Sequence, residues 1–185
     1  MEYKYRVADA LLERKLQSKG AVLIEGPKWC GKTTTAKRQA VSVLDLGDSS
    51  VLAEAEEDMQ LRPKTLLEGE TPRLLDEWQS IPALWDMVRS EVDKRDPFGQ
   101  FILTGSSVPI DPNEMRHSGT GRIGRLFMRT MSLWESGESN GNVSLEALFE
   151  QPDSIFSEAN LNLYDMAFLI CRGGWPMSLF IEKKY

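Results

Sequence analysis

The chain has 185 residues, of which 41% are hydrophobic and 27% are charged, and its formal net charge is −6 at pH 7. These values predict a soluble globular α/β protein, and the acidic balance excludes nonspecific nucleic-acid binding by the whole surface. Two cysteines and one histidine are too few for a structural zinc site, and so few cysteines fit a reduced, cytoplasmic compartment. No apolar run approaches the roughly 20 residues of a membrane span, so we expect no membrane partner.

The first predicted elements are a helix, a strand and a second helix. Apolar side chains recur among charged ones at helical spacing over residues 7–18, which predicts an amphipathic helix packed on a sheet. Residues 21–24 form an apolar run typical of a buried strand, and residues 33–41 have a helical pattern. The segment between this strand and the second helix is the most informative part of the sequence.

That segment, Gly26 to Thr33, fits the pattern G-x-x-x-x-G-K-[ST] of a phosphate-binding loop. The glycines let successive backbone N–H groups turn toward phosphate oxygens, Lys32 reaches the outermost phosphates, and the following helix presents its positive dipole end. A plain glycine turn with a surface lysine is the alternative interpretation. We expect a nucleoside triphosphate to be bound by Gly26, Pro27, Lys28, Trp29, Cys30, Gly31, Lys32, Thr33 and Thr34.

Strands and helices continue to alternate after this loop, which predicts right-handed crossovers and a largely parallel sheet. Ligands of such sheets bind at the carboxyl ends of the strands, and three polar clusters fall there: the phosphate loop, Asp76-Glu77 and Thr104-Gly105-Ser106. The predicted strands beyond the loop are residues 42–47, 73–78 and 101–107, and the predicted helices are residues 54–61 and 82–93.

Asp76 and Glu77 are the candidate acids of a magnesium-dependent hydrolase. Asp76 follows two leucines in a buried strand, where a carboxylate needs a cation or a donor, and Mg²⁺ held jointly with the Thr33 hydroxyl supplies one. Glu77 is placed to orient and deprotonate the attacking water. Thr104 is the candidate contact to that water or the γ-phosphate, although Thr-Gly-Ser is also ordinary turn chemistry. Two exposed charges at a strand end are the alternative for the acidic pair.

One basic island stands out in this acidic chain. An arginine that reaches the γ-phosphate stabilises the charge that develops in phosphoryl transfer, commonly from a neighbouring subunit. Arg122 and Arg125 are the candidates for that catalytic role. Solvated surface arginines and a small nucleic-acid contact are the alternatives. The island comprises Arg116, His117, Arg122, Arg125 and Arg129.

The C-terminal part is predicted to begin after a polar linker over residues 136–142. Residues 145–149 and 163–171 have helical patterns, and Gly173-Gly174-Trp175-Pro176 ends the second. We therefore expect a core over residues 1–142, which includes the N-terminal helix, and the start of a helical lid or linker over residues 143–185. Because the last residues fall inside a helix predicted to begin near Pro176, we expect a truncated piece of a longer protein.

With these segments in place, the chain resembles the prokaryotic AAA-type (AAA_14-like) P-loop ATPases that carry a DUF4143 C-terminal region. The resemblance extends over almost the whole chain. It rests on the segments 24–33, 72–79, 101–106, 117–123, 131–135 and 173–176.

The resemblance implies an AAA-like core of five parallel strands, with Walker A at Gly26 to Thr33 and Walker B at Asp76-Glu77. It also implies a sensor near Thr104, an arginine finger near Arg122 or Arg125, and a lid that begins at the Gly-Gly-Trp-Pro segment. Relative to the family, we expect the larger C-terminal region, thought similar to restriction-type nucleases, to be missing from this piece. Through that region the family implies a nucleic-acid or protein partner, and the finger implies a homo-oligomer.

ATP is favoured over GTP because the guanine-selecting N-K-x-D pattern is absent. The sequence thus predicts a protein that binds ATP and Mg²⁺ and hydrolyses ATP to switch an attached or partner module. The alternative is a nucleotide-dependent regulatory switch with negligible hydrolysis, associated with DNA. A small-molecule phosphotransferase is a third hypothesis, which Glu77 beside Asp76 disfavours because such enzymes exclude water.

Overall fold

The computed structural model describes residues 2–105 and 121–182. Strands and helices alternate through most of the chain. The strands are β1 (Ala21–Glu25), β2 (Ser42–Asp45), β3 (Arg73–Asp76), β4 (Phe101–Thr104) and β5 (Ile123–Phe127). The helices are α1 (Val7–Leu16), α2 (Lys32–Gln39), α3 (Ser49–Leu61), α4 (Ala83–Val92), α5 (Leu133–Ser136), α6 (Leu145–Glu150) and α7 (Leu163–Arg172). Short 3₁₀ helices lie at Pro63–Leu67, Trp78–Ser80, Pro152–Ser154 and Pro176–Phe180.

The five strands form one parallel sheet in the order β2-β3-β4-β1-β5. The register aligns Asp45 with Asp76 and Asp76 with Thr104, so the carboxyl ends of β2, β3 and β4 form one edge. The phosphate loop leaves β1 at the same edge. The predicted α/β class with a parallel five-stranded sheet is confirmed.

Apolar side chains cover both faces of the sheet, which explains why its central strands are hydrophobic without interruption. On one face Leu23, Leu75 and Leu103 pack in a cluster with residues of α3 and α4, including Trp85. On the other face Val22, Ile24, Leu74 and Ile102 pack in a cluster with residues of α1 and α2. Because helices cover both faces, the carboxyl edge is where the fold can present polar groups to a ligand.

The sequence did not locate β5. Its residues are Ile-Gly-Arg-Leu-Phe, of which three are apolar and one, Arg125, belongs to the basic island. The strand lies at the edge of the sheet, where Arg125 and Phe127 are exposed, and its sequence lacks the continuous apolar run by which the central strands are recognised. The third helix also begins earlier than predicted, because Asp48 caps it at Ser49 and its side chain accepts from the Ser50 N–H.

Contacts divide the chain into two compact units, of which the core unit is Val7–Arg129. The second unit comprises the described residues of 1–6 and 130–185. The division predicted at residue 142 stays a prediction.

Within the second unit, polar contacts are prominent. Ser132 and Glu135 form a capping box at α5, and Asn162 and Asp165 form another at α7. The Arg6 guanidinium pairs with Glu135 at 3.0 Å, and both side chains are almost fully buried. Among the helices of the described residues, none combines the length and the apolar character needed to cross a membrane.

Candidate functional site

The loop between β1 and α2 has a backbone that requires glycine at its first position. Gly26 has a φ of 149°, and a Cβ placed there would lie 2.0 Å from the carbonyl oxygen of Met128. The same carbonyl accepts a weak hydrogen bond from the Cys30 thiol at 3.7 Å, and the Met128 N–H donates to the Glu25 carbonyl at 2.7 Å. The residue that follows β5 therefore anchors the start of the loop.

Lys32 begins α2 and folds back over this loop. Its ammonium group donates to the carbonyl oxygens of Gly26 and Pro27, both at 3.0 Å, and the residue is only 7% exposed. A buried ammonium held by neutral carbonyls keeps its charge available to an anion. Phosphate oxygens would compete with these carbonyls for the same N–H groups.

Asp76 is the centre of the polar cluster. It ends β3, is 4% exposed, and its Oδ1 accepts hydrogen bonds from two hydroxyl groups. One comes from Thr33 at 2.9 Å, in the first turn of α2, and the other from Thr104 at the end of β4. Two donors compensate part of the cost of burying a carboxylate. Three separate elements therefore converge on one carboxylate oxygen.

Glu77 follows in a left-handed backbone conformation, with a φ of 53°. A glutamate in this region is uncommon and turns the chain sharply out of β3 into the 3₁₀ helix Trp78–Ser80. Trp78 anchors that turn in the core, where its ring packs 5.2 Å from the ring of Trp85. The side-chain amide of Gln79 donates to Glu77 Oε2. No local sequence pattern distinguishes Gln79, because its contact with Glu77 depends on the turn.

The remaining predicted loop residues differ in exposure. Cys30 is fully buried, whereas Trp29 is 74% exposed and has a positive φ of 65°. The Lys28 ammonium lies 5.4 Å from the centre of the Trp29 ring, within the range of a cation–π contact. Thr34, the third residue of α2, is exposed. These residues belong to the loop and to the start of α2, and exposure is what distinguishes them from one another.

The structure does not bring Arg122 to this cluster in the same chain. Arg122 precedes Ile123, which is aligned with Ala21 at the start of β1, so it lies at the amino edge of the sheet. The length of β1, about 17 Å, separates that edge from the loop. Arg122 instead pairs with Asp93, whose hydrogen bond and charge raise the pKa of the guanidinium.

Arg125 lies in the middle of β5, and its guanidinium pairs with Glu25 at 3.2 Å. Arg116 and His117 of the predicted island, and Ser106 of the third polar cluster, lie outside the described residues. Hydrogen bonds therefore join Thr33, Asp76 and Thr104, and Lys32 and Glu77 are the sequence neighbours of this cluster. The two candidate arginines pair with other residues, Asp93 and Glu25.

The donor set suits Mg²⁺. The Thr33 hydroxyl and the Asp76 carboxylate are oxygen ligands within 2.9 Å of each other, and Mg²⁺ commonly combines one or two protein oxygens with water and substrate phosphates. No group of three or more acidic, cysteine or histidine side chains that could hold a metal occurs in the described part of the chain. A metal here would thus depend on ligands from the nucleotide.

Comparisons with known proteins give a family match and a similar solved structure. The family model AAA_14, described as an AAA domain, matches residues 18–136. A solved structure of PCH-2 from C. elegans is similar to the chain, with 15% identity and a TM-score of 0.35. The match covers 70% of this chain and 41% of the PCH-2 chain. No curated protein matches the sequence.

Proposed function

The chain belongs to the AAA domain family, and on this premise we propose that it binds ATP with Mg²⁺ and hydrolyses it. One observation carries the proposal: the buried Asp76 carboxylate at the carboxyl edge of the sheet accepts hydrogen bonds from both Thr33 and Thr104. The Thr33 hydroxyl and the Asp76 carboxylate are the oxygen ligands that a nucleotide-bound Mg²⁺ needs, and they lie beside a glycine-dependent loop with a buried lysine.

The phosphates are bound by the loop from Gly26 to Thr33, with Thr34 in the turn that follows. Backbone N–H groups of the loop and the start of α2 donate to phosphate oxygens, and the Lys32 ammonium exchanges its carbonyl partners for the outer phosphates. Thr33 and Asp76 would hold Mg²⁺, which would neutralise charge on the phosphate oxygens.

Glu77 acts as the general base. Its carboxylate accepts a proton from a water molecule as the water oxygen attacks the γ-phosphorus, and the bond from that phosphorus to the ADP oxygen breaks. Thr104, which ends the strand beside Asp76, contacts the γ-phosphate or the water. The position of Glu77 next to the metal ligand supports this role, because the base and the metal must act on the same phosphoryl group.

The arginine finger comes from a second copy of the chain. The support is topological: Arg122 lies at the amino edge of its own sheet and Arg125 pairs with Glu25, so neither extends to the Asp76 cluster of the same chain. A homo-oligomer would supply either arginine across an interface. Hydrolysis then switches the conformation of an attached module or of a protein or nucleic-acid partner.

Single-turnover hydrolysis of ATP with Mg²⁺, at saturating protein, tests the proposal. Lys32→Ala should reduce ATP affinity by about 100-fold, whereas Glu77→Gln should retain ATP and lose about 100-fold or more in turnover. Lys37→Ala on the same helix and Glu57→Gln on the exposed face of α3 are matched controls and should behave as the wild type.

Equal turnover in the wild type and Glu77→Gln would overturn the assignment of the base. If the wild type binds ATP without hydrolysing it at all, even at high protein concentration, the ATPase proposal fails. The chain would then act as a nucleotide-dependent switch, and a change in protease sensitivity on addition of ATP would identify it.

A further inference from the structure

Gln79 is a polar side chain at the site whose role the hydrolysis scheme does not explain. Its amide nitrogen donates to Glu77 Oε2, while its carbonyl oxygen, Oε1, is buried. Within the described residues Oε1 has no hydrogen-bond partner. Burial of an amide oxygen without a hydrogen-bond partner costs free energy, so another interaction of the amide has to compensate for its position.

Gly105 provides the space that the amide occupies. A Cβ at Gly105 would lie 2.3 Å from Gln79 Oε1 and 3.3 Å from the indole nitrogen of Trp78. Gly105 directly follows Thr104, whose hydroxyl donates to Asp76. The Gln79 amide therefore lies between the glutamate after β3 and the first residue after β4.

We propose that Gln79 is a positioning residue that fixes the carboxylate of Glu77, and that Gly105 is small so that the amide can reach it. This inference rests on the proposed ATPase function and adds a specific device to it. Gln79 does not touch the reacting atoms. It acts through Glu77, one of whose oxygens it binds, so that the other carboxylate oxygen faces the water in a defined orientation.

The physical reason is the freedom of a glutamate side chain. Glu77 has three rotatable bonds and is only half buried, so a single anchored orientation has to be imposed by a contact. A hydrogen bond from an amide to a carboxylate is charge-assisted and directional, and the rigid Trp78–Ser80 turn holds the amide in place. Loss of this contact should slow the chemical step without weakening ATP binding.

A double-mutant cycle with Glu77 tests the proposal. Gln79→Leu keeps the size of the side chain and removes the amide, and we expect single-turnover hydrolysis to fall about 10- to 100-fold while the Kd for ATP changes less than about threefold. In a Glu77→Gln background the same substitution should cause no further loss. A merely structural role would lower turnover in both backgrounds. Gln39→Leu, which removes another half-buried amide, is the control.

Gly105→Ala gives an independent test, because it displaces the amide and leaves both Glu77 and Gln79 chemically intact. The φ of Gly105 is not in the left-handed region, and the closest obstacle is the terminal oxygen of the Gln79 side chain rather than backbone, so the protein should fold. Turnover should fall about tenfold, and Gly105→Ala should add nothing to Gln79→Leu. Gly124→Ala, whose Cβ would meet the Lys19 side chain, is the control.

Turnover of Gln79→Leu within twofold of the wild type would overturn the inference, as would equal losses in the two Glu77 backgrounds. Either result leaves the ATPase proposal intact provided that Glu77→Gln is inactive. A wild-type chain without turnover would instead overturn the proposed function, and the role of Gln79 with it. The wild-type and Glu77→Gln measurements therefore separate the two failures.

Discussion

The core unit and the second unit differ in how far their large apolar side chains are buried. In the core unit Leu74, Leu75 and Leu103 are fully buried in the sheet. In the second unit Phe149 is 82% exposed and Leu163 is 87% exposed. Of the described residues beyond Arg129, only Met131 and Leu169 belong to the buried apolar set. Hydrophobic burial therefore holds the core unit, at about 25 cal/mol for each Å² removed from water.

The second unit depends more on charged and capping contacts. Its Arg6–Glu135 pair has side chains that are 5% and 7% exposed, and Arg172 pairs with Glu138 at 2.6 Å. A buried pair stabilises only while both partners are present, because a single buried charge is costly. We therefore expect cavities to destabilise the core unit and loss of a buried charge to destabilise the second unit.

Removal of core volume should have the largest effect. Leu103→Ala, in the fourth strand, should lower the free energy of unfolding by about 4 kcal/mol, because it opens a cavity in a fully buried cluster. Leu163→Ala, the same change at an exposed position of α7, should change it by less than about 0.5 kcal/mol. Urea unfolding followed by circular dichroism measures both. Equal losses of unfolding free energy in the two variants would contradict this difference between the core unit and the second unit.

Loss of a buried charge should come next. Arg6→Met keeps the length of the side chain but leaves Glu135 without its ion-pair partner, and it should destabilise the second unit by about 3 kcal/mol. Amide hydrogen exchange should locate the faster exchange in α5 and spare β1 and β4. Arg62→Met breaks an exposed pair with Asp58 and should have little effect. Faster exchange throughout the sheet would contradict a local role for Arg6.

A fall in pH should have a smaller effect on stability, again in the second unit. Burial would raise the pKa of Glu138, but hydrogen bonds from Arg172 and Ser136 outweigh it, and the pKa is lowered. The stabilisation is therefore complete above the unfolded pKa of about 4.3 and is lost as the pH falls through the lower folded value. Glu138→Gln should cost about 1 kcal/mol at pH 7 and almost nothing near pH 2.

The melting temperatures of the wild type and Glu138→Gln, measured across that pH range, check this prediction. If the difference between them does not depend on pH, the contribution of Glu138 is not ionic. Glu146→Gln, on the exposed surface of α6, is a suitable reference.

Continuous apolar runs made the central fold predictable from the sequence. Strands β1, β3 and β4 are buried on both faces, so their sequences have the unbroken hydrophobic character from which strands are recognised. The sequence also predicted that Thr33, Asp76 and Thr104 lie at one edge, because parallel strands align their carboxyl ends. The roles of these residues in binding and catalysis stay predictions.

The rest of the site depends on contacts that no local pattern encodes. Strand β5 is partly exposed at the edge of the sheet, and because it contains an arginine, its sequence was not distinguished from the neighbouring basic residues. The contact of Gln79 with Glu77 follows from a left-handed turn, which a glutamate rarely adopts. The distance of Arg122 from the loop follows from strand register, and register is set by the whole sheet.

The anchor at Met128 has a mechanical consequence. Its N–H and carbonyl oxygen hold Glu25 and Cys30, on either side of the first loop glycine, and the chain enters the second unit two residues later, at Thr130. A displacement of the phosphate loop would therefore change the contacts of Met128, just before the boundary between Arg129 and Thr130. The phosphate loop and the segment that leads out of the core unit therefore have one anchoring residue in common, Met128.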